Sequence, residues 1–76
     1  MITKMEHRII DQRLDTLRDK LLLLGGATEN ALHRAMQSLI ERDTALAKQV
    51  VKDDGLINQM ELEIDRFSIE ILALQQ

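Results

Sequence analysis

The chain has no cysteine and no proline, only three glycines, and a single aromatic residue, Phe67. The lack of cysteine excludes both disulfide bonds and thiolate metal ligands. One aromatic side chain offers no platform on which nucleic-acid bases stack, so we expect no nucleic-acid partner. Because proline and glycine are the residues that break helices, their scarcity leaves a composition that strongly favours helix.

The chain also lacks a basic block and a long apolar run. Its net charge is −3, with ten basic residues scattered among thirteen acidic ones, which argues against binding to nucleic acid or to an anionic membrane. The longest apolar run, residues 21–27, is far shorter than the roughly 20 residues of a membrane-spanning helix. Residues 1–8 carry no apolar segment typical of a secretory signal. We therefore expect a cytoplasmic protein.

Apolar residues recur at steps of three and four and predict two long helices, at about residues 5–41 and 44–75. The first helix has one row at this spacing, Ile10, Leu14, Leu17, Leu21, Leu24, Thr28, Ala31, Ala35 and Leu39, and a second row, Leu22, Leu32, Met36 and Ile40. The row of the second helix is Ile57, Met60, Ile64, Phe67, Ile71 and Leu74. An apolar face this wide suits a bundle of three or more helices.

The paired glycines Gly25 and Gly26 interrupt the first helix. They allow two interpretations. One is a break, with Thr28 or Asn30 capping a new helix, and the other is one continuous helix. The apolar row stays in phase across the pair, which favours the continuous helix. The glycines would then mark a kink or the close approach of another backbone.

The turn between the helices is predicted from Asp43, whose carboxylate suits the N-cap of the second helix. The alternative is a single very long helix, which would expose its apolar face unless it dimerised. We favour an all-α fold, an antiparallel hairpin of two long helices. Because two helices cannot cover so wide an apolar face, we also expect a two-fold dimer that forms a four-helix bundle.

The second helix carries a polar row beside its apolar one. Asp54, Asn58, Glu61 and Asp65 lie above one another on one helix face. None of the three acids has a lysine or arginine three or four residues away, unlike Glu63 with its neighbour Arg66. Such a row suggests an external cation, although its spacing alone favours a solvated surface. Its oxygen donors suit hard ions such as magnesium, calcium, manganese or ferric iron. A solvated surface is the competing interpretation.

The sequence contains no glycine-rich phosphate loop, no nucleophile elbow and no cysteine–histidine pair. We therefore do not expect an enzyme.

Several short segments occur in an order and spacing that resemble the N-terminal part of PhoU, a family of phosphate-transport regulatory proteins of bacteria and archaea. The paired glycines and the Glu61-x-x-x-Asp65 motif are the most specific marks. The segments are residues 14–18, Leu24-Gly25-Gly26, Asp43 with Leu46-Ala47, residues 50–54, and Met60-Glu61-x-x-Ile64-Asp65.

The resemblance implies a fold and a metal site. Family members have two three-helix repeats, whose second and third helices carry acidic motifs that bind clusters of iron, zinc or other cations. Glu61 and Asp65 match that motif directly, Asp54 matches a commonly acidic position, and Asn58 is a weaker match. Residues 1–76 would then be an N-terminal fragment of the first repeat, lacking its third helix. We expect such a fragment to bind metal weakly or not at all.

The resemblance also implies a role. Family members are negative regulators of phosphate-starvation signalling that link the phosphate-specific transporter and its ATPase to a sensor histidine kinase. They are cytoplasmic or peripheral at the inner membrane face, and often oligomeric. We therefore expect a metal-binding adaptor. The alternative is a structural hairpin that oligomerises and has no metal site.

Overall fold

The computed structural model describes residues 3–75, which form two helices, α1 (Lys4–Ile40) and α2 (Thr44–Gln75). The two helices pack side by side as an antiparallel hairpin measuring 58 × 15 × 11 Å. The predicted all-α hairpin of two long helices is therefore confirmed. The bounds of α2 agree with the predicted 44–75. Helix α1 begins and ends one residue earlier than the predicted 5–41.

A capping box begins α1 one residue earlier than predicted. The Thr3 hydroxyl accepts from the Glu6 amide at 3.1 Å, and the Glu6 carboxylate accepts from the Thr3 amide at 3.4 Å. These two bonds satisfy amide groups that would otherwise lack partners at the helix end. The Thr-x-x-Glu pattern is visible in the sequence and marks this start.

The chain reverses direction in a short turn that follows α1 and contains one left-handed residue. The Glu41 amide donates to the Gln37 carbonyl at 2.9 Å, and the Asp43 amide donates to the Ser38 carbonyl, also at 2.9 Å. Between them Arg42 adopts φ 54°, the left-handed conformation that glycine usually supplies at this position. The Asp43 carboxylate accepts from the Leu46 amide at 3.0 Å. The predicted N-cap is therefore confirmed.

Helix α1 continues through the glycine pair without a break, as predicted. A Cβ atom added at Gly25 or Gly26 would meet no atom within 4 Å. A glycine inside a helix costs about 1 kcal/mol relative to alanine. Within the described residues no close backbone approach explains that cost.

The contact between the helices is a narrow stripe. Its most enclosed members are Ile10, Ile64 and Ile71, which are 5%, 9% and 4% exposed. Half-buried residues extend it along both helices: Leu17, Leu24, Ala31 and Ala35 from α1, and Ile57, Met60 and Phe67 from α2.

Part of the predicted row does not join this stripe. Leu14, Leu21 and Leu39 are 44%, 49% and 79% exposed, and Leu74 is 41% exposed. A helix has 3.6 residues per turn, so one neighbouring helix covers only positions close to a single line. The second row of α1 also stays open, with Leu22, Leu32, Met36 and Ile40 exposed.

Candidate functional site

The three predicted cation ligands lie on one exposed side of α2. The carboxylates of Asp54, Glu61 and Asp65 all face solvent. Within residues 3–75 none of them forms an ion pair or a side-chain hydrogen bond. Their negative charges therefore have no protein partner in this part of the chain.

The other three acidic residues of α2 are paired with α1. Arg34 Nη1 lies 2.8 Å from Asp53 Oδ2, Arg13 Nη1 lies 3.8 Å from Glu70 Oε2, and Lys20 pairs with Glu63. In each pair the basic residue belongs to α1 and the acidic residue to α2. The sequence had suggested Arg66 as the partner of Glu63; instead, the Glu63 carboxylate lies against Lys20. The Lys20 ammonium also lies 5.5 Å from the centroid of the Phe67 ring, a cation–π contact.

Asp53 is the most strongly held of these carboxylates. Oδ2 accepts from Arg34, and Oδ1 accepts from the Gln49 side chain at 2.8 Å. The Arg34 hydrogen bond, followed by the Gln49 hydrogen bond, lowers the pKa of Asp53 below its ordinary value of 3.8. Asp53 therefore stays charged and bound to Arg34 and Gln49, whereas its neighbour Asp54 remains available to an external ligand.

Sequence reasoning missed these pairs because their members are far apart in the chain. A usable signal was present, since Arg13, Lys20 and Arg34 follow a seven-residue period on α1. Glu70 and Glu63 follow the same period on α2. Such matched periods of opposite charge are typical of two helices packed along one seam.

The ion pairs lie on one long face of the hairpin, here called the ion-pair face. Leu23 and Leu56 line a groove of about 530 Å³ on this face, together with Gly26, Asn30, Arg34 and Asp53. Leu23 and Leu56 each come one position before a half-buried residue, Leu24 and Ile57 respectively.

The opposite long face, here called the open face, is formed by residues that come one position after an inward-facing residue. Successive residues of a helix are about 100° apart around its axis. Because the two helices run antiparallel, these positions point toward the same side of the hairpin on both helices. The open face consists of Leu14, Leu21, Leu32 and Leu39 from α1 and Asp54, Glu61 and Asp65 from α2. It thus combines a leucine row with the acidic row.

The acidic row alone offers an incomplete cation site. At 1.5 Å per residue, Glu61 lies roughly 10 Å along the helix from Asp54 and roughly 6 Å from Asp65. Across the described part of the chain, no three histidine or acidic side chains are placed to hold one ion. Glu61 and Asp65 can therefore supply at most two carboxylates to an ion, which needs further oxygen ligands from elsewhere.

Neither described helix is both long and apolar enough to cross a membrane.

Comparison with known proteins gives concordant results. The model of the PhoU domain family matches residues 21–76. Across its whole length the chain is 42% identical to the phosphate-specific transport system accessory protein PhoU homolog of Pseudomonas putida and 41% identical to that of Pseudomonas aeruginosa. Over 83% of its length it is 33% identical to the PhoU accessory protein of Escherichia coli.

The matched region spans between about a quarter and a third of the length of these relatives: 32%, 34% and 26%. No solved structure matched it. The family match covers well over half of the chain, and two relatives match all of it at more than 40% identity. The chain therefore belongs to the PhoU family.

Proposed function

We propose that this chain belongs to an accessory protein that regulates phosphate uptake and phosphate-starvation signalling. Its role is that of an adaptor in the cytoplasm, peripheral to the membrane, between the phosphate-specific transporter with its ATPase and a sensor histidine kinase. The relatives in Pseudomonas and Escherichia coli are named as accessory proteins of that transport system. The adaptor works by presenting surfaces rather than by catalysis.

The observation that carries the metal-binding part of the proposal is the division of acidic residues on α2. Asp53, Glu63 and Glu70 are neutralised by α1, whereas Asp54, Glu61 and Asp65 are not. A helix that leaves aligned carboxylates unpaired holds them in mutual repulsion. A cation bound there would relieve this repulsion and gain oxygen ligands.

The proposed site needs more ligands than this chain supplies. Glu61 and Asp65 provide the core of the site and Asp54 extends it, while the remaining ligands come from another helix of the intact protein or from water. An iron, zinc or other cation cluster in the intact protein fits this donor set, with the oxygen-only ligands favouring harder ions. The hairpin by itself would hold such ions weakly.

Metal analysis of the intact protein tests the site. Glu61→Gln with Asp65→Asn should empty the cluster, as measured by elemental analysis of the purified protein. The matched control, Glu63→Gln with Glu70→Gln, removes the same charge from the same helix but from the ion-pair face. The control should keep its metal.

A reporter of phosphate starvation tests the role in cells. If the adaptor restrains signalling through its metal site, the Glu61/Asp65 variant should raise reporter output in phosphate-rich medium, and the Glu63/Glu70 control should raise it less. If the Glu61/Asp65 variant kept its full metal content, the acidic row would be only a solvated surface.

The exposed leucines support a second candidate, a structural hairpin that oligomerises without metal. Leu32 and Leu39 are 61% and 79% exposed, which is unusual for side chains of this size on one face. This candidate is favoured if the intact protein contains no metal and neither double variant changes the starvation reporter.

A further inference from the structure

We propose that Lys20 is a positioning residue for the proposed cation site. Its side chain contacts α2 on the ion-pair face and thereby fixes the rotation of the part of α2 that carries Glu61 and Asp65 on the open face. This inference rests on the proposed metal site and adds to it a residue of α1 that binds no metal itself.

Lys20 contacts this part of α2 at two points. Its ammonium pairs with the carboxylate of Glu63 and lies 5.5 Å from the centroid of the Phe67 ring. Glu63 lies midway in sequence between Glu61 and Asp65, and Phe67 follows Asp65 by two residues. Both contacts therefore fall within the same two helical turns, roughly, as the two proposed ligands.

The other two ion pairs do not have this placement. Arg13 and Arg34 pair with Glu70 and Asp53 respectively, and neither carboxylate lies between or beside the two proposed ligands in sequence. The Lys20 side chain is also the least open to solvent of the three, with 26% of its surface exposed against 41% for Arg13 and 31% for Arg34. Its contacts are therefore screened less by water and salt.

The buried residue Ile64 separates the two sides of α2 at this level. Because successive residues are about 100° apart around the helix axis, Glu63 and Asp65 point to opposite sides of Ile64, which is buried against α1. Glu61, three residues before Ile64, lies on the same side as Asp65. A rotation of α2 that moves Glu63 away from α1 therefore moves both proposed ligands toward it.

Apolar packing alone leaves room for such a rotation. A cleft of about 250 Å³ lies at this level, and it is lined by Leu23, Met60 and Ile64 together with Lys20 and Glu63. A closely packed interior has few voids and resists movement of its helices. Because this space is not filled by apolar side chains, the contacts of Lys20 are what limits the rotation.

A small rotation is enough to disturb the site. Side-chain oxygens lie roughly 6 Å from the helix axis, so a rotation of about 20° displaces them by about 2 Å. Metal ligands must be held within about 0.5 Å of their working positions. Glu61 and Asp65 would share their ion with ligands from another helix or from water, so a displacement of this size weakens binding.

Titration of the metal-free intact protein with manganese(II) tests the inference. Manganese suits oxygen ligands, and electron paramagnetic resonance measures the free ion, whose sharp signal is lost on binding. Lys20→Met keeps the length of the side chain but removes its charge. It should bind manganese about tenfold more weakly, the size expected when an exposed ion pair and a cation–π contact are both lost. Lys20→Arg keeps both contacts and should bind nearly as the unchanged protein does.

The direction of the change separates positioning from simple electrostatics. Loss of a positive charge would by itself strengthen the binding of a cation, so weaker binding requires displaced ligands. Arg13→Met is the matched control, because it removes the same charge from the same face, and it should not weaken manganese binding. Urea denaturation of both variants records any general loss of stability, which the control should share.

Exchange of the two charges provides a rescue. Lys20→Glu combined with Glu63→Lys restores the ion pair without changing the net charge, and it should bind manganese more tightly than Lys20→Met. Glu63→Gln is a mild change, because its amide oxygen still accepts a hydrogen bond from Lys20 and the Phe67 contact remains. It should therefore retain its metal, as the control in the elemental analysis requires.

The titration distinguishes failure of this inference from failure of the metal site. If Lys20→Met binds manganese as tightly as the unchanged protein or more tightly, or if Arg13→Met weakens binding equally, Lys20 does not position the ligands, although the site itself remains. If the unchanged protein binds no manganese, the metal site is refuted and this inference with it.

Discussion

Replacing Arg42 by glycine should stabilise the hairpin. Arg42 occupies the left-handed position of the turn, with φ 54°. Its Cβ atom crowds the backbone there, whereas glycine has no Cβ atom and adopts the conformation freely. The hydrogen bonds on either side, from Glu41 to Gln37 and from Asp43 to Ser38, require no side chain at position 42. The change should therefore keep the turn and remove only its strain.

The expected gain is about 1 kcal/mol. The left-handed conformation costs an L-residue roughly 1–2 kcal/mol. Removing this cost stabilises the folded chain, but glycine offsets part of the stabilisation because it has more conformational freedom to lose when the chain folds. For a domain of this size, about 1 kcal/mol raises the melting temperature by roughly 4–8 °C.

Thermal unfolding followed by circular dichroism measures the effect. All variants must be compared at one protein concentration, because association would shift the melting temperature by mass action. Arg42→Ala is the control, since it removes the charged side chain but keeps the Cβ atom, and it should leave the melting temperature nearly unchanged. If Arg42→Gly fails to stabilise the protein, or if Arg42→Ala stabilises it equally, the backbone explanation is wrong.

Three further predictions follow from local contacts. Asp43→Ala should lower the free energy of unfolding by about 1 kcal/mol in urea denaturation, because it removes the bond to the Leu46 amide, and Asp43→Asn should retain most of that stability. Gly26→Ala and Gly55→Ala should each raise it by about 0.5–1 kcal/mol, because both glycines lie inside helices with free space around them, and a loss of stability in either variant would reveal an unseen neighbour. The lowered pKa of Asp53 makes its ion pair stabilising above pH 3.8, and this contribution should disappear as the pH falls through the lower pKa of the folded state. Acid titration of Asp53→Asn should lack that step, while Asp54→Asn should keep it.

Much of the fold follows from local patterns in the sequence. Alternating steps of three and four predict both helices, and Asp43 predicts where the second begins, because helix periodicity and capping depend only on residues a few positions apart. The turn was harder to predict in detail. Its left-handed residue is Arg42 rather than the usual glycine, so the commonest signal of a helix end is absent.

The rotation of the helices could not be predicted from periodicity alone. The row that contains Leu14, Leu21 and Leu39 looked like the centre of the interface, but these three leucines are exposed. Only the other members of the row, such as Leu17 and Leu24, lie in the contact. The contact instead includes Arg13, Lys20 and Ser38 in place of those leucines, and this choice depends on the partner helix. The candidate site could not be fully predicted for the same reason. Asp53 and Asp54 are the same residue type, and only the rotation of α2 determines that Asp53 meets α1 while Asp54 faces solvent.

The ion pairs supply the information that selects this rotation. Arg13–Glu70 and Lys20–Glu63 share one register, in which each seven-residue step along α1 is matched by seven residues along α2.

Continuing that register places Arg34 level with Gln49, and both side chains then bind opposite oxygens of Asp53, one turn further along α2. Sliding one helix by a turn would move every pair by roughly 5 Å and separate all three. Exposed ion pairs contribute little free energy individually, so their main effect here is to disfavour other registers. The charges on one face thereby determine that Asp54, Glu61 and Asp65 emerge together on the other.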